Sequence, residues 1–279
     1  MTLPTLDGYK PAEMAERAAA VGEQKATLKA GPMFLLACLA GAYIAMGAIF
    51  ATTVAAGTAG TWPFGVTRVL MGLVFCVGLV LVVVGGAELF TGNTLMTIAC
   101  LEKRITTGAL LRNWLIVYIG NLAGSLVIAL LTTIGRTYTF GDGVLGATAL
   151  TIADVKVNLG FWQAVALGIL CNFLVCLAIW MTFSARTVTD KILAVIFPIS
   201  AFVAAGFEHS VANMYFIPAG LFIKLFDPAF TAGTALDLTQ LTWGAFFVNN
   251  LLPVTIGNVI GGAVLVGMIY WGVYLRGNK

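Results

Sequence analysis

Two stretches of this 279-residue chain repeat one pattern inside apolar surroundings: G-A-E-L-F-T-G-N over residues 86–93 and G-F-E-H-S-V-A-N over residues 206–213. Both read G-x-E-x-x-x-x-N, so Glu88 is matched by Glu208 and Asn93 by Asn213. These glutamates are the only carboxylates in the long apolar stretches, and His209 is the only histidine. A charge in a bilayer core costs about 2.5–3.5 kcal/mol on insertion scales, so its recurrence at matching places in two halves asks for a reason. Either the pair marks the centre of a transport pathway, or it staples the fold by pairing with lysines. Lys25 precedes the first apolar stretch and Lys156 the fourth, which pairs Glu88 with Lys25 and Glu208 with Lys156. Asn93 and Asn213 can bridge helices, as polar residues do between membrane spans.

The elements that would carry these groups follow from composition. The chain is 60% hydrophobic and only 10% charged, with a mean hydropathy of +0.98, outside the range of soluble domains. It reads as an all-α polytopic membrane protein. Apolar runs near residues 33–56, 66–86, 114–134, 161–183, 192–206 and 245–274 suit about 30 Å of hydrocarbon, the fifth being short. Residues 1–31 lack the continuous apolar core and the cleavage site of a signal peptide. Pro11 early, Glu13 and Glu16 in the first turns, Lys25 and Lys29 late and Gly31-Pro32 as a stop predict an amphipathic helix lying along the membrane surface.

With the N-terminus inside, Lys10, Arg17, Lys25, Lys29, Lys103, Arg104, Arg112, Arg186, Lys191, Arg276 and Lys279 fall on the cytoplasmic side. Only Arg68, Arg136, Lys156 and Lys224 fall on the other. This bias predicts both termini in the cytoplasm of a bacterial-type inner membrane and an even number of crossings. The net charge of +3 is then an insertion signal, and no nucleic-acid partner is expected. The five cysteines lie in apolar segments without metal-ligand spacing, so neither a metal nor another cofactor is expected.

A second repeat joins the first. N-W-L-I-V-Y-I-G-N-L-A-G over residues 113–124 aligns with N-L-L-P-V-T-I-G-N-V-I-G over residues 250–261, with seven of twelve positions identical. Two matches in the same order imply duplicated three-span units, about 32–137 and about 158–275, with a tail at 276–279. Three spans is an odd number, so the copies are inverted. Each Glu motif falls where the second span of its unit is interrupted, because 94–101 and 214–226 are too short to cross alone. The second and fifth helices are thus broken, and their breaks should face one another across a pore.

The G-F-E-H-S-V-A-N-M run at 206–214, the block at 86–93 and N-L-L-P-V-T-I-G-N at 250–258 resemble the formate/nitrite transporter family, with W-P-F-G at 62–65 adding to the match. The resemblance spans about 25–276. It implies an aquaporin-like fold, one pore per protomer and a homopentamer, with formate channels the most similar members. It further implies a central pore site of His209, Thr91 and Asn172, one constriction at Phe75 and Phe202, and another at Leu79, Leu89 and Phe90 beside Val175. Many such channels carry Asp where this chain has Glu88, which keeps the charge and changes only the reach.

The function implied is a channel or proton-coupled transporter for formate, the small anion of a weak acid. A dehydrated carboxylate between two apolar constrictions is costly unless neutralised, and His209 could relay the proton while Thr91 and Asn172 hydrogen-bond the substrate. Nitrite, hydrosulfide, acetate and lactate are alternative cargoes that differ by an atom or two. An intramembrane enzyme using His209 and Glu208 as acid and base is a rival of another class, against which stands the lack of a nucleophile, base and orienter set. A structural pentamer with a closed pore is a third.

Overall fold

A computed structural model describes residues 7–276. The rest of the tail placed at 276–279, Lys279 included, and the first six residues of the N-terminal segment lie outside the described residues. No strand occurs among the described residues. The helices are α1 (Pro11–Ala26), α2 (Ala30–Thr58), α3 (Phe64–Gly85), the composite α4 (Phe90–Leu101), α5 (Thr107–Ile134), α6 (Val144–Val157), α7 (Phe161–Ser184), α8 (Val188–Ala205), α9 (Ser210–Phe226) and α10 (Trp243–Tyr274). Six of them (α2, α3, α5, α7, α8 and α10) are long and apolar enough to cross a membrane. Large side chains such as Leu35, Phe64, Trp162 and Phe197 stand exposed on the outside of the bundle. The chain is a multi-pass membrane protein.

Local signals explain where several helices start. Pro11 opens α1, and the Lys10 amide donates to Glu13 Oε2 at 2.7 Å, so both the fixed φ and the acidic first turn favour this start. The face of Met14, Ala15, Ala18, Ala19 and Gly22 packs against Leu95, Ile98, Cys176 and Trp180, so protein covers much of what was expected to lie on lipid. The helix stops at Ala26 rather than at Gly31-Pro32. That dipeptide sits in the first turn of α2, where proline loses no hydrogen bond because those amides have no helical partner.

Helix α5 begins seven residues before Trp114, because the Thr106 hydroxyl accepts from the Ala109 amide at 3.1 Å and caps the helix. Thr187 and Asp190 form a reciprocal cap that starts α8 at Val188 and lengthens the short fifth span to 18 residues. Helix α6 fills the connection between the two units, and Lys156 lies in its last turn.

The halves are packed alike. Helix α2 packs on α3 and α5, α7 packs on α8 and α10, and α3 packs on α8. Close approach needs glycine at equivalent places: a Cβ at Gly124 would fall 2.7 Å from the Cys38 carbonyl carbon, and one at Gly261 would fall 3.0 Å from the Phe173 amide nitrogen. Small residues let helices approach this closely within a membrane. The end of α10 returns to the α1 side, where Leu275 joins the cluster of Met14 and Ala15. Helix α10 also contains two π-helical stretches, Phe246–Leu251 and Ile260–Met268.

Candidate functional site: two broken helices and the contact between them

Helices α3 and α8 stop at left-handed glycines, Gly86 at φ 74° and Gly206 at φ 80°. In both, the next amide reaches back to close the helix, Ala87 to the Val82 carbonyl and Phe207 to the Phe202 carbonyl, each at 3.0 Å. Three residues outside any helix follow, 87–89 and 207–209, the last of each, Leu89 and His209, being extended. The Glu88 amide donates to the Leu36 carbonyl at 3.2 Å, and the Glu208 amide to the Leu167 carbonyl at 3.3 Å. Helices α4 and α9 begin directly afterwards. Each break thus leaves backbone amides and carbonyls inside the bundle that need partners from neighbouring helices.

Asparagines supply them. Asn121 on α5 accepts from the Phe90 amide at 2.9 Å and donates to the carbonyls of Ala37 and Glu88 at 2.8 and 2.9 Å. Asn258 on α10 accepts from the Ser210 amide at 2.9 Å and donates to the carbonyls of Gly168 and Glu208 at 2.8 and 3.0 Å. Lys25 Nζ meets Glu88 Oε1 at 2.6 Å, and Lys156 Nζ meets Glu208 Oε1 at 2.7 Å. The second carboxylate oxygens accept from Asn93 at 2.7 Å and from Asn213 at 2.6 Å. Those asparagines continue to Asn113 Oδ1 at 2.8 Å and to Asn250 Oδ1 at 2.7 Å. The glutamates therefore brace their own breaks. Asn113, Asn121, Asn250 and Asn258 were visible only as positions of the second repeat, and nothing in their spacing showed that Asn121 and Asn258 would satisfy the backbone of the breaks while Asn113 and Asn250 extend the carboxylate networks.

The two breaks meet at one contact. Thr91 Oγ1 lies 3.0 Å from His209 Nε2, and both residues are buried. His209 also caps α9, its Nδ1 accepting from the Ala212 amide at 3.0 Å. An amide N–H can only donate, so Nδ1 is the acceptor and the neutral imidazole carries its proton on Nε2. Leu89, at the equivalent place before α4, has no capping side chain.

The remaining candidates fall around this contact. The Phe202 ring stacks near His209 with centroids 5.8 Å apart, and Phe75 meets Phe202 edge-on at 5.7 Å. Leu79, Leu89 and Val175 are buried in the same core. Phe90 packs its ring against Trp114 and Tyr118 on α5, at 6.1 and 4.9 Å. Asn172 is buried, but its Nδ2 is directed at protein: the Asn258 carbonyl at 2.6 Å, Thr94 Oγ1 at 3.2 Å and the Thr91 carbonyl at 3.3 Å. On the α1 side, a cavity of about 460 Å³ is lined by Arg17, Lys25, Lys191, Glu88 and Leu89 among others. Three basic groups against one carboxylate make it a place where an anion is favoured.

Known proteins match this chain over nearly its whole length. The chain is 46% identical to the formate channel FocA of Escherichia coli (strain K12) over 272 residues, covering 96% of this chain and 95% of that protein. It is 40% identical over 286 residues to a probable formate transporter of Methanothermobacter thermautotrophicus, covering 95% and 97%. A solved pentameric formate channel with formate bound superposes with a TM-score of 0.80 at 44% identity, covering 88% of this chain and 98% of that one. A solved FNT family ion channel gives 0.79 at 30% identity, covering 93% and 98%. The family described as formate/nitrite transporter matches residues 12–272, and with the relatives above this shows that the chain belongs to the formate/nitrite transporter family.

Proposed function

We propose that the protein moves formate across the bacterial inner membrane with both termini in the cytoplasm, as a homopentamer with one pore per protomer, and that His209 relays a proton to the anion. The formate-binding pentamer and the formate channels among its relatives support the cargo and the assembly. The excess of Lys and Arg on the α1 side supports the orientation. The observation that carries the relay is the 3.0 Å contact between Thr91 and His209 at the meeting point of two broken helices. Arg17, Lys25 and Lys191 gather the anion at the α1-side cavity. Leu79, Leu89 and Phe90 beside Val175 strip its water on that side, and Phe75 and Phe202 do so on the other.

The hydrogen bonds define what the relay requires. At rest Nε2–H donates to Thr91 Oγ1, which leaves the threonine hydroxyl proton free to donate to a carboxylate. A second proton can enter the ring only at Nδ1, where it faces the Ala212 amide. Charging His209 therefore costs the cap of α9, about 0.5–2 kcal/mol for side-chain caps in general. A formate ion held at Thr91 offsets that cost, because an anion beside imidazolium favours the charged form. The imidazolium then releases its Nε2 proton toward formate through the Thr91 hydroxyl, an N–H bond breaks as an O–H bond forms, and the neutral acid leaves. Later proton exchange restores the resting tautomer and the cap.

Uptake of labelled formate into liposomes holding only the purified protein tests this reading. Uptake of unchanged formate supports it, whereas no uptake or a chemical product overturns it. Competition by nitrite and hydrosulfide in the same vesicles ranks the cargoes, and a stronger effect of either than of unlabelled formate reassigns the substrate.

A further inference from the structure

The two halves differ where α10 touches the first broken helix. A Cβ at Gly262 would lie 2.7 Å from Cys176 Sγ and closer still to Thr94 Oγ1 and Asn172 Nδ2, so three polar side chains converge on this glycine. All three are fully buried. They also share a target. Thr94 Oγ1 donates to the Thr91 carbonyl at 2.6 Å, and Asn172 Nδ2 and Cys176 Sγ donate to the same oxygen at 3.3 Å each. Thr94 Oγ1 further contacts Asn172 Nδ2 and Cys176 Sγ, both at 3.2 Å, while Asn172 Nδ2 is anchored on the Asn258 carbonyl at 2.6 Å. Gly262 lies in the π-helical stretch Ile260–Met268. Such insertions in α-helices concentrate at functional sites.

The matching positions around the second break lack this set. Thr94 is matched by Met214, and Gly262 by Ser125, which donates to the Gly41 carbonyl at 3.2 Å. Asn121 and Asn258 hold the carbonyls of Ala37 and Gly168. Four and eight residues beyond those carbonyls stand Gly41 and Ala45 in one repeat, and Asn172 and Cys176 in the other. The polar cluster is thus built on one side only, the side that carries Thr91.

We infer that Thr94, Asn172, Cys176 and Gly262 are positioning residues for transport: they clamp the Thr91 carbonyl and so aim the Thr91 hydroxyl at His209. The inference rests on the pore reading above. A threonine fixed by three hydrogen bonds to its carbonyl holds its hydroxyl within the few tenths of an ångström that proton donation demands. Glycine at 262 is the seat, because any side chain there must push at least one of the three away.

Thr94→Val keeps the volume and removes the hydroxyl that contacts Thr91. Gly262→Ala adds the methyl group. Each is expected to lower initial formate uptake per assembled oligomer by about tenfold, the loss of roughly one positioning hydrogen bond, and to shift the pH profile of uptake. Thr94→Ser keeps the donor and should recover both readouts. Thr91→Val separates the layers of the argument. If it is impaired while Thr94→Val and Gly262→Ala match the wild type in rate and pH profile, the clamp is wrong and the pore reading stands. If Thr91→Val itself matches the wild type, Thr91 is not in the pathway and the clamp falls with it. A variant that melts earlier but transports with the wild-type rate and pH profile also overturns the clamp, and should Gly262→Ala fail to assemble, Thr94→Val decides.

Discussion

Replacing His209 by asparagine separates the two things this side chain does. Asparagine is among the best N-cap residues, so it can accept from the Ala212 amide as Nδ1 does at 3.0 Å, and the start of α9 survives. What disappears is the link from Nε2 to Thr91 and the ability to carry a second proton. The stability change should therefore be small, at most the net worth of one neutral hydrogen bond, about 0.5–1.5 kcal/mol. His209→Leu copies Leu89, which caps nothing, and should lose roughly 1 kcal/mol more. Transport should change in kind. Formate carried with a proton crosses as a neutral unit and ignores membrane voltage. Formate passing alone carries one charge, for which about 60 mV corresponds to roughly 1.4 kcal/mol, or about tenfold in distribution. Labelled-formate uptake into vesicles clamped by potassium and valinomycin reads this directly. The wild type is expected to respond to pH and not to voltage, and His209→Asn to voltage and not to pH. A variant that keeps the wild-type pH response and voltage independence would refute the relay.

Other perturbations test the scaffold around that contact. Glu208→Gln leaves Lys156 without its charge partner at 2.7 Å, and loss of one partner of a buried pair costs about 3–5 kcal/mol, so the oligomer should melt earlier while the formate-to-nitrite uptake ratio stays unchanged. Gly86→Ala and Gly206→Ala both place a side chain at positive φ, roughly 1–2 kcal/mol each. Gly206→Ala should be the worse in thermal melting, because its Cβ would also fall 2.9 Å from Arg68 Nη2, a group anchored on the Val203 carbonyl at 2.6 Å. Phe75→Ala removes the ring that meets Phe202 at 5.7 Å and should raise formate leak in the liposome assay, where unchanged flux would remove Phe75 from the constriction. The Asp227 carboxyl, between α9 and the short helix Pro228–Ala232, is held below its ordinary range first by the Phe230 amide and then by the Tyr138 hydroxyl. Its folded value is the lower one, so its stabilisation is present at neutral pH and fades as pH falls through that value. Asp227→Asn should flatten this acid-side part of the melting curve.

Much of this architecture is legible in the residues because a bilayer leaves so few choices. Apolar length marks the spans, and a carboxylate within them must have a partner, which narrows Glu88 to Lys25 and Glu208 to Lys156 by position alone. The contacts at 2.6 and 2.7 Å follow from that economy. Helix α6 was not legible, since Val144–Val157 is short and its sequence has no marked apolar face. Gly31-Pro32 misled because a glycine and proline pair terminates one helix and opens another equally well, and only the extended backbone at Lys29, which forms no side-chain cap, marks the new start. The clamp on Thr91 was hidden for a different reason. Thr94, Asn172, Cys176 and Gly262 come from three separate helices, and no periodicity within one helix shows which polar groups will converge across the bundle.

The two breaks show how matching backbone sites can carry different side chains at little structural cost. Leu89 and His209 occupy equivalent places with almost the same backbone, φ −108° and ψ 124° against φ −110° and ψ 115°. The glycine cap, the three-residue break, the lysine and the asparagine bracing are shared, so the break is held open without help from the side chain at this position. That freedom lets one copy keep leucine, which can only exclude water. The other copy carries histidine, which caps α9 and meets Thr91. The proposed relay needs only one asymmetric contact, while the two breaks supply backbone sites with nearly the same dihedral angles. Divergence at 89 and 209, at 91 and 211, and at 125 and 262 therefore concentrates around the Thr91–His209 contact, and the positions that hold the backbone remain alike.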